Sequence, residues 1–353
     1  MKILHCKEYG PVENLVWEDI DSPEPGDNEV LVSIKAAALN FPDFLIVQGL
    51  YQFKPEVPFA PGNEGAGIIK KVGKNVTRVK EGDRVSFMLP YGAFAEETCT
   101  HEFGVFPISD DITFEMAASY QMAYGTSYHA LMQRGQLTEH DEVLVLGASG
   151  GVGLAAVDIA KAKGARVVAG VSTEEKAKIC RDYGVDDVVI YGDGPKDKDE
   201  SKAFAAELKS KSTRGGYSII YDPIGDCYTE PAFRSIGWKG RYLVVGFAAG
   251  QIPKLPINLT LLKGASLVGV FWGSFTGLEA ETNQQNIADI NEMLAEGKIK
   301  PLISETFPME KAVDAIQMIG NRKVMGKVVL INEQLSKIFN SQLLNSLSIF
   351  FKC

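Results

Sequence analysis

The segment LVLGASGGVGLAAVDIAKAKGARV, residues 144–167, constrains this chain more than any other stretch. An apolar run ends at Gly147 and a turn of small residues follows: Ala148, Ser149, Gly150, Gly151, Val152 and Gly153. A helical stretch then runs to a stop at Gly164, and a second apolar run opens. In the register of the dinucleotide fingerprint G-x-G-x-x-G the three positions are Ala148, Gly150 and Gly153, with alanine in the first. Glycine is needed where backbone must approach a pyrophosphate and where a helix packs close on a strand. The free amides at the start of the helix then face the phosphates.

The alternation continues well beyond this turn. Strand-like runs VLVLGA (143–148), RVVAGV (166–171), DVVIY (187–191), SIIYD (218–222), YLVVGF (242–247) and SLVGVF (266–271) follow one another. Helical stretches over 152–163, 173–183 and 200–212 separate the first four, and the linker after Tyr228 also reads as helix. Strands separated by helices predict parallel βαβ units, here a doubly wound parallel sheet of the Rossmann type in an α/β fold. The first 110 residues read as β-rich, with short apolar segments between Gly, Pro, Asp and Asn turns. Thr113 can cap a helix whose apolar face includes Met116, Ala117, Tyr120 and Tyr124. After Phe271 the pattern predicts a helix near 286–296, a strand near 302–307, a helix over 309–319 and a last strand, KVVLI, at 327–331.

The expected boundaries are therefore 1–124 for a first, discontinuous domain and 125–265 for the dinucleotide-binding domain. Residues 266–331 hold the last Rossmann strand and the return to the first domain, and 332–353 form a tail. In that tail Leu335, Phe339, Leu343 and Leu347 recur every four residues, the spacing of an amphipathic helix. It reads either as a helix docked on the body or as an interaction tail.

Composition removes several classes of function. Thirty-six basic against 45 acidic residues give a net charge of −9, which argues against a nucleic-acid surface. No run of 18 apolar residues is present, so no membrane span is expected. Five scattered cysteines without a CxxC pair predict free thiols in a reducing compartment, and no targeting signal is apparent near Met1, so the expected place is the cytoplasm.

The end of the second strand bears on the choice of cofactor. An NAD site wants a carboxylate there for the ribose diol, but the strand runs into Val171, Ser172 and Thr173. Ser172 and Lys176, one helical turn on, suit a 2′-phosphate and favour NADPH. Glu174 and Glu175 lie close by and pull the other way, unless they serve the dipole of the helix they open.

Together with AAALNFPDFLIVQGLY (36–51), PFAPGNEGAGIIKKVGKNVTRVKEGDRV (58–85) and the closing GKVVLI (326–331), these features resemble the zinc-free branch of the medium-chain dehydrogenase/reductase superfamily, most closely the quinone oxidoreductases. The resemblance covers roughly residues 1–331 and implies a β-rich, GroES-like catalytic domain beside the Rossmann domain. Where zinc-dependent relatives carry a cysteine and the histidine of G-H-E-G, this chain has Asn40 and Asn63, and their four-cysteine structural loop is reduced to Cys99. Amides are poor zinc ligands, so no metal is expected. A metal-free dinucleotide site can pass hydride to an acceptor that is already electron-poor, a quinone or an activated alkene.

The resemblance also implies roles for single residues. Asn40 and Tyr51 would lie beside the nicotinamide, Asn40 bonding ribose or acceptor and Tyr51 lining the site or donating a proton. Asp43 reads as structural, capping a local turn. Thr126 would stand near the nicotinamide, and Gly151 and Val152, after Gly150, would present amides to the pyrophosphate. Ser172, Lys176 and Tyr191 would surround the adenosine and its phosphate. Phe247 would offer backbone to the carboxamide, and Lys327 would reach toward the cofactor. An enoyl-thioester or enone reductase fits the same motifs, and so does a non-catalytic NADPH-binding relative. Relatives pair through the sheet edge near 266–271, which implies a homodimer.

Overall fold

The run of apolar segments and helices becomes, in a computed structural model that describes residues 1–321 and 324–332, a six-stranded parallel sheet. Its order across the sheet is Asp187–Ile190, Arg166–Val171, Glu142–Leu146, Tyr217–Asp222, Ile236–Val244 and Ser266–Gly269. Every neighbouring pair is parallel. Val143, Leu144, Val145 and Leu146 are all buried, as are Val167 and Val168. Near-continuous apolar sequence is what a strand covered on both faces requires. The order reverses between Glu142–Leu146 and Tyr217–Asp222, so the carboxyl ends of these two strands flank the topological switch point.

This sheet belongs to one of two units, Met122–Leu302; the other comprises Met1–Gln121 and the described residues from Ile303 to Asn332. The second unit carries a seven-stranded sheet, with Ile303–Pro308, Lys327–Ile331, Glu29–Leu39, Glu64–Val72, Arg84–Met88 and Val105–Pro107 in order, and Glu97–His101 also paired to Glu29–Leu39. Lys327–Ile331 runs antiparallel to Glu29–Leu39, with Val328 opposite Leu39 and Ile331 opposite Ala36. The last described strand thus returns to the first sheet. Val30, Val32, Ile34, Phe87, Phe94, Ile316, Val328 and Leu330 close its core. A short helix, Phe41–Val47, leaves directly from the end of Glu29–Leu39 and puts Asn40 at its N-cap.

Several elements depart from the sequence pattern, each for a local reason. The fifth parallel strand begins at Ile236 rather than 242 and ends at Val244. Its first half, IGWKGR, is polar and contains Lys239 at φ +60, which masks it. Gly246 and Phe247 leave the sheet, and the amides of Val245 and Gly246 bond to the Asp222 carbonyl instead. The sixth strand stops at Gly269. The helix placed near 286–296 spans Ala280–Ala295, its first turns hidden by the polar run ETNQQN. Thr113 does cap a helix, its Oγ1 accepting from Met116 N at 3.2 Å, but the helix stops at Ser119 and a second one spans Gln121–Tyr128. The amphipathic tail lies outside the described residues.

Candidate functional site

In the parallel-sheet unit, Gly147 takes a left-handed turn at φ +58. Gly150 caps the helix Gly151–Ala162, and Gly151 and Val152 open it, where backbone amides have no acceptor one turn back. A Cβ at Gly153 would stand 2.2 Å from the Gly147 carbonyl oxygen, so only glycine lets this helix start lie bare against the turn. Ser127 Oγ donates to the Val152 carbonyl at 2.8 Å, which makes Tyr221 OH the donor in its 2.9 Å bond to Ser127. The first turn of the glycine-rich helix is therefore braced from beneath. A backbone turned toward solvent, stripped of side chains and firmly held is what a pyrophosphate needs.

At the end of the neighbouring strand Arg166–Val171, Lys176 Nζ donates to Ser172 Oγ at 3.1 Å. Thr173 caps the helix Glu174–Asp182. The Glu174 carboxylate is ion-paired with Arg181 and held below its usual range by that partner. Its pull against an anion at Ser172 and Lys176 is thereby reduced. Tyr191, after Asp187–Ile190, packs against Tyr228 at 4.7 Å between ring centroids. Phe247 lies over Gly225, where an added Cβ would meet its ring at 2.8 Å. Thr126 is half-buried in Gln121–Tyr128, next to Ser127.

The other unit gathers a buried polar cluster at the start of Phe41–Val47. Lys327, 4% exposed, donates to Asn40 Oδ1 at 2.6 Å, to Glu64 Oε1 at 2.6 Å and to the Leu39 carbonyl at 3.1 Å. Asn40 Nδ2 donates to Asn63 Oδ1 at 2.9 Å and to Glu64 Oε1 at 2.8 Å. All three ammonium protons and both amide protons are thus engaged inside the protein. Lys327, placed by resemblance in reach of a cofactor, has its charge turned onto Glu64. Asp43 accepts from Asn40 N at 2.8 Å, the turn-capping role anticipated for it, and burial pushes its carboxyl up to about 7, with Lys327 opposing. Tyr51 packs on the core beside this cluster; burial first, then Asp43, raises its phenol. Among the described residues its hydroxyl has no hydrogen-bond partner.

The geometry thus joins Asn40 to Lys327 and Ser172 to Lys176, and packs Tyr191 on Tyr228. Three further residues matter that the sequence reading gave no role: Glu64, Ser127 and Asp222. Glu64 sits in the G-N-E-G stretch and could have been suspected there. Asp222 is the one acid ending an otherwise apolar strand, which is a usable signal. Ser127 has none.

The two candidate ligand positions offer neutral amides, Asn40 Oδ1 and Asn63 Oδ1, each already accepting a hydrogen bond, with an ammonium inserted between Asn40 and Glu64. Such a set does not fit a divalent cation. Among the described residues no group of three or more His, Cys, Asp and Glu side chains is placed to hold a metal ion.

A Rossmann sheet with a glycine-rich turn at its switch point, joined to a β-rich unit that the chain enters twice, defines an oxidoreductase of the medium-chain type. Residues 26–110 match the family model "Alcohol dehydrogenase GroES-like domain", and residues 151–292 match "Zinc-binding dehydrogenase". The chain is 35% identical to the quinone oxidoreductase-like protein 2 homolog of Nematostella vectensis over 338 residues, covering 94% of this chain and 89% of that one. A mycobacterial protein complexed with NADPH superposes with a TM-score of 0.86 at 29% identity, covering 94% of this chain and 99% of that one. The quinone oxidoreductase of Escherichia coli complexed with NADPH gives 0.84 at 25% identity, with 94% and 100% covered. The chain belongs to the medium-chain dehydrogenase/reductase superfamily, in its quinone oxidoreductase-like family.

Proposed function

We propose that this chain is an NADPH-dependent, zinc-independent reductase that passes hydride to a quinone. One observation carries the reading: the cluster of Asn40, Asn63, Glu64 and Lys327 has its donors engaged internally. Such a cluster has no free cation with which to polarise an alcohol or a simple carbonyl. The acceptor must then be electron-poor on its own account, as a quinone is. The NADPH carried by two related structures supports the choice of cofactor, as does Lys176 bonded to Ser172.

Bound NADPH supplies the hydride. Ser172 and Lys176 hold the 2′-phosphate, and the amides of Gly151 and Val152, following Gly150, hold the pyrophosphate. Tyr191 flanks the adenosine, and Thr126 and the Phe247 backbone serve the nicotinamide half. Within the β-rich unit, Asn40 and Lys327 are held to each other by the 2.6 Å bond between them. A quinone that has taken hydride is a stabilised phenolate-type anion, so solvent can protonate it and no dedicated acid is required. The test is NADPH oxidation against ortho-quinones, para-quinones and enoyl thioesters, with NADH as control and a chelator arm. Quinone turnover that persists with chelator is expected. Turnover lost to the chelator, or confined to enoyl thioesters, overturns the reading.

The unpartnered Tyr51 hydroxyl favours a second reading, an alkene reductase, because an enolate must be protonated at carbon. Tyr51→Phe would then slow an enoyl substrate about a hundredfold, the lower range of general-acid effects, and leave quinone turnover nearly unchanged. Equal small losses would remove this alternative.

The remaining features concern assembly and place. Ser266–Gly269 is an edge strand with Leu267 at 39% exposure, and Leu261, Leu262 and Phe271 are exposed close by in sequence. This edge is where we place a homodimer contact. Cys6, Cys99, Cys180 and Cys227 are free thiols, which supports a reducing, cytoplasmic setting. No helix among the described residues is long and apolar enough to cross a membrane.

A further inference from the structure

Asp222 ends the strand next to the glycine-rich turn, across the switch point, and is 3% exposed. Each of its carboxylate oxygens takes two donors. Oδ1 accepts from the amides of Ile224 and Gly225, both at 2.9 Å. Oδ2 accepts from Thr229 Oγ1 at 2.9 Å and from Tyr242 OH at 2.6 Å. Its carbonyl holds the amides of Val245 and Gly246. Residues 223–226 are in turn laced to 248–251: Ala248 N donates to Pro223 O, Ala249 N to Ile224 O, and Asp226 N to Gln251 O.

We infer that Asp222 is a positioning residue for the nicotinamide half of the dinucleotide, acting through the loop 223–226 and the Phe247 segment that this loop carries. The inference rests on the cofactor reading above. A dinucleotide laid along the carboxyl edge of this sheet has its phosphorylated adenosine at Ser172 and Lys176, after the second strand. Its pyrophosphate lies at the glycine-rich turn, after the first strand. The other half must then fall over the end of the strand Tyr217–Asp222. There Ile224 packs on the turn, with its Cγ2 2.7 Å from where a Gly147 Cβ would stand, and Phe247 covers Gly225. A loop of backbone with few side-chain anchors holds such a position only if something fixes it. The four donors converging on one carboxylate fix it.

Asp222→Asn keeps the shape and gives one oxygen site a donor in place of an acceptor. With its oxygen kept toward the two loop amides, the side chain turns its NH2 on the Thr229 and Tyr242 hydroxyls, which must reverse from donating to accepting; flipped, it leaves both loop amides without an acceptor, and in either case the charge that gathers the four donors is gone. The experiment measures Kd by calorimetry for NADPH and for 2′,5′-ADP, which carries only the adenosine-phosphate end, together with the melting temperature. In the variant, NADPH binding is expected to weaken about tenfold or more, with 2′,5′-ADP within about twofold of the parent, since a lost charge-assisted hydrogen bond is at stake. Thr229→Val, which removes one donor from Oδ2, should shift NADPH in the same direction by less, and it keeps the test informative should Asp222→Asn fail to fold. Equal weakening of both ligands would mean a general loss of structure and would overturn the inference. So would unchanged NADPH binding in both variants. Parent protein that binds neither ligand would overturn the cofactor reading itself, and the inference with it.

Discussion

Lys327 and Glu64 meet 263 residues apart in sequence, 2.6 Å apart in space, and both are almost fully buried. Removing one partner strands a charge where water cannot reach it. Lys327→Met is expected to cost about 3–5 kcal/mol of stability, and adding Glu64→Gln should restore much of it. Urea unfolding of the two single variants and the double variant measures this directly. Asp43 adds a pH dependence of definite sign. Its carboxyl is raised to about 7 in the folded chain, against an ordinary value near 3.8. Between those values the folded state binds the extra proton, so stability should fall as pH rises from about 4 to about 7. Asp43→Asn should flatten that slope in melting temperatures taken across the range, and an unaltered slope would count against it. At this scale the sequence showed that amides, Asn40 and Asn63, stand where zinc-dependent relatives carry cysteine and histidine. It could not tell that Lys327 engages both Asn40 and Glu64, since nothing local links residues so far apart in the chain.

The glycine-rich turn was legible as an element because its period changes from strand to helix across six small residues. The structure adds the reason for Gly153, where any side chain would run into the Gly147 carbonyl. Gly153→Ala is expected to cost about 1–3 kcal/mol and to lose NADPH binding in parallel. Gly277→Ala serves as the comparison, since a Cβ there meets nothing within 4 Å and should leave both the melting temperature and binding nearly unchanged. Buried strands such as Glu142–Leu146 announced themselves by being apolar throughout. Half-exposed elements did not. Ile236–Val244 begins with polar residues and a left-handed Lys239, and Ala280–Ala295 begins with a polar face, so both starts were placed late. The break between Phe114–Ser119 and Gln121–Tyr128 left no mark, because Tyr120 and Tyr124 fit a single continuous helix equally well by spacing.

For the whole molecule, the expected particle in light scattering is a pair of chains. Leu267→Asp on the exposed edge strand should separate it, whereas a single-chain mass for the parent would remove the proposed contact. The discontinuous β-rich unit has a consequence for biosynthesis. Its sheet needs Lys327–Ile331 beside Glu29–Leu39, yet that strand is translated only after the whole of Met122–Leu302. Once Leu302 has been made, the uninterrupted unit Met122–Leu302 is already complete, but Lys327, to which Glu64 is bound in the folded chain, and the strand beside the Glu29–Leu39 edge are still to be added. The strands made first must therefore wait, open-edged, for Lys327–Ile331 to arrive. Order of synthesis and order of folding run in opposite directions for the part of the protein that holds Asn40.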